Sequence, residues 1–127
     1  MGALEQAGSS VFQRIGCADC HIPFLQSGPS PVSALDRKEF SPFSDFLLHD
    51  MGALGDGMEQ NGAARTEIRT APLWGLKFQP SLLHDGRAKT AKEAILAHDG
   101  QGRPARNAFA NLKSADQAAL IAFLNSL

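Results

Sequence analysis

The stretch Gly16-Cys17-Ala18-Asp19-Cys20-His21 constrains this chain more than any other, because it holds both cysteines and one of the four histidines. Two thiols three positions apart, followed at once by an imidazole, suit a redox dithiol, half of a zinc site, or covalent haem attachment. A structural disulfide is a further use, but it leaves His21 without a role. A zinc site takes four ligands, and none of the remaining histidines has the usual paired spacing. A redox dithiol of the thioredoxin kind sits between a strand and a helix, whereas the residues before Cys17 read as a helix. Haem attachment uses all three side chains: the thiols add to the two vinyl groups and the histidine ligates the iron. The motif therefore predicts one covalent haem c on Cys17, Cys20 and His21. The carbonyl of Pro23 is expected to accept the other ring N–H of His21 and so orient it.

The chain has 127 residues, of which 43% are hydrophobic, which suffices for one compact domain over residues 1–127. Leu4, Gly8, Val11, Phe12 and Ile15 fall at helical spacing. Gly8 inside that stripe weakens a helix unless a second helix approaches closely. Leu120, Phe123, Leu124 and Leu127 line a helix at the other end, behind a capping-box pattern at Ser114 and Gln117. These terminal helices are expected to cross, with Phe12 and Phe123 packing between them. Thr90 and Glu93 make a second capping-box pattern, opening a helix that ends at His98. A short helix is expected in "FSDFLLHDMG"; "TEIRT" and "LKF" read as too short for strands. Between His21 and Thr90 runs a long Pro-, Gly- and Ser-rich stretch, and a loop of that length points to a ligand it folds around.

With the N-terminal helix, the C-x-x-C-H string, the long loop and the C-terminal helix, the chain resembles the cytochrome c superfamily. Its "RTAPLWGLKFQPSLLHDGRAKTAKEAILAH" is similar to the C-terminal haem domain of di-haem cytochrome c peroxidases and, more closely, to the related di-haem thiol oxidoreductases. "SDFLLHDMG" and "LHDGRA" are the most specific of these strings. The resemblance spans nearly the whole chain, but only one C-x-x-C-H is present. It implies an all-α, cytochrome c-like fold with long haem-wrapping loops. It also implies that His98, at the end of the capped helix, stands where those relatives carry the distal iron ligand.

Five side chains compete for the sixth iron position: His49, Met51, Met58, His84 and His98. His98 comes first, Met51 second, and an open or water-bound iron third. Arg69 is a candidate partner for a haem propionate, and Arg87 has the same two readings, propionate partner or solvated cation. Trp74, the only tryptophan, is expected to pack in the core against the haem edge.

The expected function is one-electron transfer through a haem c held by His21 and His98. The alternative is a haem domain of a peroxidase-like or thiol oxidoreductase-like di-haem enzyme. A redox protein is the expected donor or acceptor. The net charge of -1 and the absence of a Lys/Arg run argue against nucleic acid, and no apolar stretch reaches the length of a membrane span. Residues 1–16 lack the pattern of a secretory leader. Haem c attachment nonetheless implies a periplasmic or otherwise extracytoplasmic site in a bacterium.

Overall fold

The computed structural model describes residues 1–127. Four α-helices carry the architecture: α1 Ala3–Arg14, α2 Ala91–Ala97, α3 Arg103–Ala110 and α4 Ser114–Leu124. Two small antiparallel sheets lie in the long middle stretch. Strands β1 (Leu25–Gln26) and β2 (Glu39–Phe40) form one, with Leu25 opposite Phe40. Strands β3 (Leu48–Asp50) and β4 (Glu67–Arg69) form the other, with His49 opposite Ile68. The all-α expectation is therefore corrected to a mixed architecture. The helix expected in "FSDFLLHDMG" is instead β3 followed by a 3-10 turn over Gly52–Leu54, and "TEIRT" contains β4. Each strand spans only two or three residues, too few for an alternating pattern to develop.

The core lies between the terminal helices. Val11 and Phe12 of α1, Ala91 of α2, Phe109 of α3, and Leu120, Phe123 and Leu124 of α4 form one buried apolar cluster. The rings of Phe12, Phe43 and Phe123 meet edge to face in pairs, at centroid distances of 5.4 to 6.0 Å. Such pairs add about 0.5–1.5 kcal/mol beyond their area burial. Gly8 makes this contact possible: a side-chain carbon there would lie 2.0 Å from the carbonyl oxygen of Ala119 and 2.6 Å from Cβ of Phe123. Here the sequence stripe and the tertiary contact agree.

The two capping-box patterns fare differently. The Thr90 hydroxyl accepts from the Glu93 N–H at 3.1 Å, so α2 starts as expected. At α4 the cap residue is Lys113, with no side-chain capping bond, and Ser114 is the first helical residue. Gln117 turns the other way and donates to the carbonyls of Phe109 and Leu112, closing the end of α3. A tight α3–α4 turn uses the glutamine that the pattern had assigned to a cap. Helix α3 was not anticipated, although Pro104 in its first turn is a helix-start signal.

Only 14 of 127 residues are buried, so the apolar cluster holds the helical end and leaves the middle stretch to hydrogen-bonded loops.

Candidate haem-binding site

Helix α1 ends at Arg14, and Gly16, at φ 91°, reverses the chain. A glycine occupies this left-handed conformation at little cost. A 3-10 turn over Cys17–Asp19 follows, and the His21 N–H donates to the Cys17 carbonyl at 2.9 Å. The two cysteines and the histidine thus lie on one compact turn packed beneath Phe12. Both thiols are free. Burial pushes the Cys17 thiol up to about 11, and burial also raises Cys20. A redox dithiol needs a lowered thiol pKa, so this environment argues against that reading.

His21 is oriented by a segment from farther along the chain. Ser44 N–H donates to the Ile22 carbonyl and Asp45 N–H to the Cys20 carbonyl, which lays residues 43–45 against residues 20–22. The Phe43 carbonyl then meets His21 Nδ1 at 2.9 Å. The expected acceptor, Pro23, is replaced by Phe43, because a carbonyl two residues on is less well placed than one from a paired segment. Phe43 has φ 51°, a left-handed conformation costly for a bulky residue. That conformation is held while its ring packs on Phe12 and Phe123. Buried Ser44 anchors the segment by donating to the Thr70 carbonyl at 2.8 Å.

His98 caps α2 at its C-terminus with an extended backbone. Its Nδ1 lies 2.7 Å from the Ala94 carbonyl, and Arg106 donates to the His98 backbone carbonyl at 3.0 Å. The rings of His21 and His98 lie 6.4 Å apart, centre to centre, with planes inclined at 51°. Burial holds both imidazoles below the usual histidine range, favouring the neutral form that binds metal. With Nδ1 of each ring donating to a backbone carbonyl, Nε2 is the nitrogen left for a metal.

Of the remaining ligand candidates, His49, Met58 and His84 do not converge on His21 in this way. His49 Nε2 donates to Asp45 at 2.7 Å, and its Nδ1 sits 4.0 Å from Cys20 Sγ. Burial opposes ionisation of Asp45, but hydrogen bonds from the Leu47 N–H, Thr70 and His49 outweigh it and hold the carboxyl below its usual range. Cys20, Asp45 and His49 offer ligand atoms within 4.8 Å of one another. They could grip a metal ion only through a free Cys20 sulfur. Met58 is 62% exposed, and His84 sits exposed beside Asp85, which pairs with Arg87 at 2.7 Å. Arg69 is exposed on β4 and lines a cavity of about 350 Å³ with Leu48, Met58 and Glu67. Pro23 lines a second cavity with Phe24 and Phe43. Trp74 is 53% exposed, flanked by Phe40 and Phe46 at 6.4 Å, rather than buried in the core.

Sequence reasoning missed Phe43, whose carbonyl orients the His21 ring, and Arg106, which holds the His98 backbone carbonyl. Neither lies near its histidine in a way a local pattern records, and only the folded chain brings them there.

A family model described as "di-haem oxidoreductase, putative peroxidase" matches residues 3–127. The chain belongs to the di-haem oxidoreductase family. The match spans the whole fold, from the first residue of α1 to the C-terminus. No curated protein and no solved structure matches the chain. Membership in this family implies haem binding, and the donor set here fits such a group. Two metal–imidazole bonds of about 2 Å, with about 1 Å more from each nitrogen to its ring centre, span about 6 Å. The His21–His98 separation matches that span, and two thiols lie on the turn that carries His21. Among the sequence candidates, the structure brings together Cys17, Cys20, His21 and His98, and leaves Arg69 and Trp74 at the surface.

Proposed function

We propose that this di-haem oxidoreductase family member holds one haem c through thioethers at Cys17 and Cys20, with His21 and His98 as the residues that would bind its iron, and passes single electrons. The observation that carries the reading is the 6.4 Å separation of two half-buried imidazoles whose Nδ1 atoms are both taken up by backbone carbonyls. When bound, the haem supplies an iron that cycles between two oxidation states. The protein's residues do the rest. Cys17 and Cys20 would tether the group, while His21 and His98 would each offer it Nε2. Phe43 and Ala94 fix the ring orientations by accepting the Nδ1 protons. Phe12 shields His21 from water, with its ring centre 6.4 Å away.

With both imidazoles bound, the iron would have no open position for peroxide, which favours a carrier over a peroxidase. A ferric absorption spectrum tests this directly. Low-spin iron, no near-infrared sulfur-to-iron band and no rapid reaction with peroxide are expected. High-spin iron that reacts with peroxide would establish the catalytic alternative.

A second reading follows from one observation: the family is di-haem, yet this chain has two cysteines and a single attachment motif. The electron partner is then a second haem-bearing protein or domain. Thioether attachment of this kind would favour a periplasmic or otherwise extracytoplasmic compartment; no helix is long and apolar enough to cross a membrane.

A further inference from the structure

The loop that carries Met51 is stapled to the loop that carries His98. Asp50 N–H donates to the Gln101 side chain at 2.8 Å, and Ala53 N–H donates to Asp99 at 3.0 Å. The approach between these loops is close: a side-chain carbon at Gly100 would lie 2.3 Å from the Asp50 carbonyl oxygen. These contacts bracket Met51, whose own N–H donates to the Thr66 carbonyl. Its side chain therefore has a defined place. A carbon added at Gly102 would lie 2.9 Å from the Met51 methyl and 3.2 Å from both Cβ and Cδ2 of His98. The end of the Met51 side chain and the Cβ–Cδ2 side of His98 thus meet at the same glycine.

We infer that Met51 is a second distal-side ligand, positioned to take the iron when His98 leaves it. The inference rests on the reading that a haem sits between His21 and His98. Its chemistry is a ligand exchange: an Fe–N bond to His98 breaks and an Fe–S bond to Met51 forms, with no change in oxidation state. The soft thioether favours reduced iron and raises the reduction potential, whereas imidazole lowers it. The distal site can therefore hold either of two donors from hydrogen-bonded neighbouring loops. The other methionines do not compete: Met58 is 62% exposed and Met1 73% exposed.

The test uses the haem-loaded full chain and reads spectra and potential. His98→Ala should give low-spin ferric iron with a near-infrared sulfur-to-iron band and a potential above that of the native protein. His98→Ala combined with Met51→Leu should lose the band and become high-spin. His98→Gly with imidazole added back provides a second route, since the added ligand should displace Met51 and abolish the band. High-spin or water-bound iron in both His98→Ala and His98→Gly would overturn the inference while leaving His98 as the native ligand. A band already present in the native protein would overturn both this inference and the reading beneath it, as would a spectrum unchanged by His98→Ala.

Discussion

At the scale of single residues, the turn from Cys17 to His21 carries both thiols and one imidazole on a 3-10 turn closed by the His21 N–H to Cys17 carbonyl bond, the set that the proposed attachment and iron ligation would use. Replacing both Cys17 and Cys20 by serine should release the haem in denaturant, while either single replacement should leave it attached through one thioether. Denaturing mass spectrometry reads the first effect, and alkylation of a remaining free thiol excludes unreacted cysteine in the native protein. Phe43 combines three tasks at one position: a strained φ, a carbonyl for His21 and a ring between Phe12 and Phe123. Phe12 is 2% exposed and touches His21, Phe43 and Phe123. Phe12→Ala should cost about 3–5 kcal/mol, measured by denaturant unfolding of the haem-loaded protein.

At the scale of elements, the decisive contact is between α1 and α4. A side-chain carbon at Gly8 would overlap the Ala119 backbone, which cannot move aside as a flexible side chain can. Gly8→Ala, which would raise the stability of an isolated helix, should instead lower that of the protein by about 1–3 kcal/mol and its melting temperature by several degrees. A second joint links the Gly52–Leu54 turn to the end of α2 through Asp99. The Ala53 N–H and the Arg103 guanidinium hold its carboxyl down to about 2, from an ordinary value of 3.8. A depressed carboxyl contributes stability above its unfolded value, and that contribution is lost as pH falls through the folded value. Acid melting should therefore weaken the wild type between pH 3.8 and about 2. Asp99→Asn should flatten that part of the profile and lower stability at neutral pH.

At the scale of the molecule, a small apolar core sits at one end of a chain whose middle is long and mostly irregular. The middle stretch is stitched by backbone bonds such as Leu73 N–H to the Pro42 carbonyl and Gly75 N–H to the Leu127 carbonyl. The His21–His98 pair spans the two regions, so a ligand that grips both imidazoles ties the middle to the helical end. Binding to the folded state alone raises stability by mass action. The double Cys17→Ser, Cys20→Ser protein, purified without haem, should melt well below the haem-loaded native protein by circular dichroism. Equal melting temperatures would show that the helical core suffices.

The sequence by itself determined the features written in short-range chemistry. The C-x-x-C-H spacing defines a turn; Thr90 and Glu93 start α2; the stripe around Gly8 announces a close helix contact. Each depends on residues within one or two turns of each other, so a linear reading captures it. The tertiary structure decided whatever depends on distant segments meeting. Strands β3 and β4 exist because residues 48–50 pair with residues 67–69, and neither run carries a pattern alone. The acceptor for His21 moved from Pro23 to Phe43 because Ser44 is drawn against Ile22. Trp74 lies at the surface because apolar character specifies no particular partner, and the core was filled by α1 and α4. The approach of His98 to His21, and of Met51 to His98, belongs to the same class: ring orientation is set by backbone carbonyls and loop staples that only folding brings within hydrogen-bonding distance.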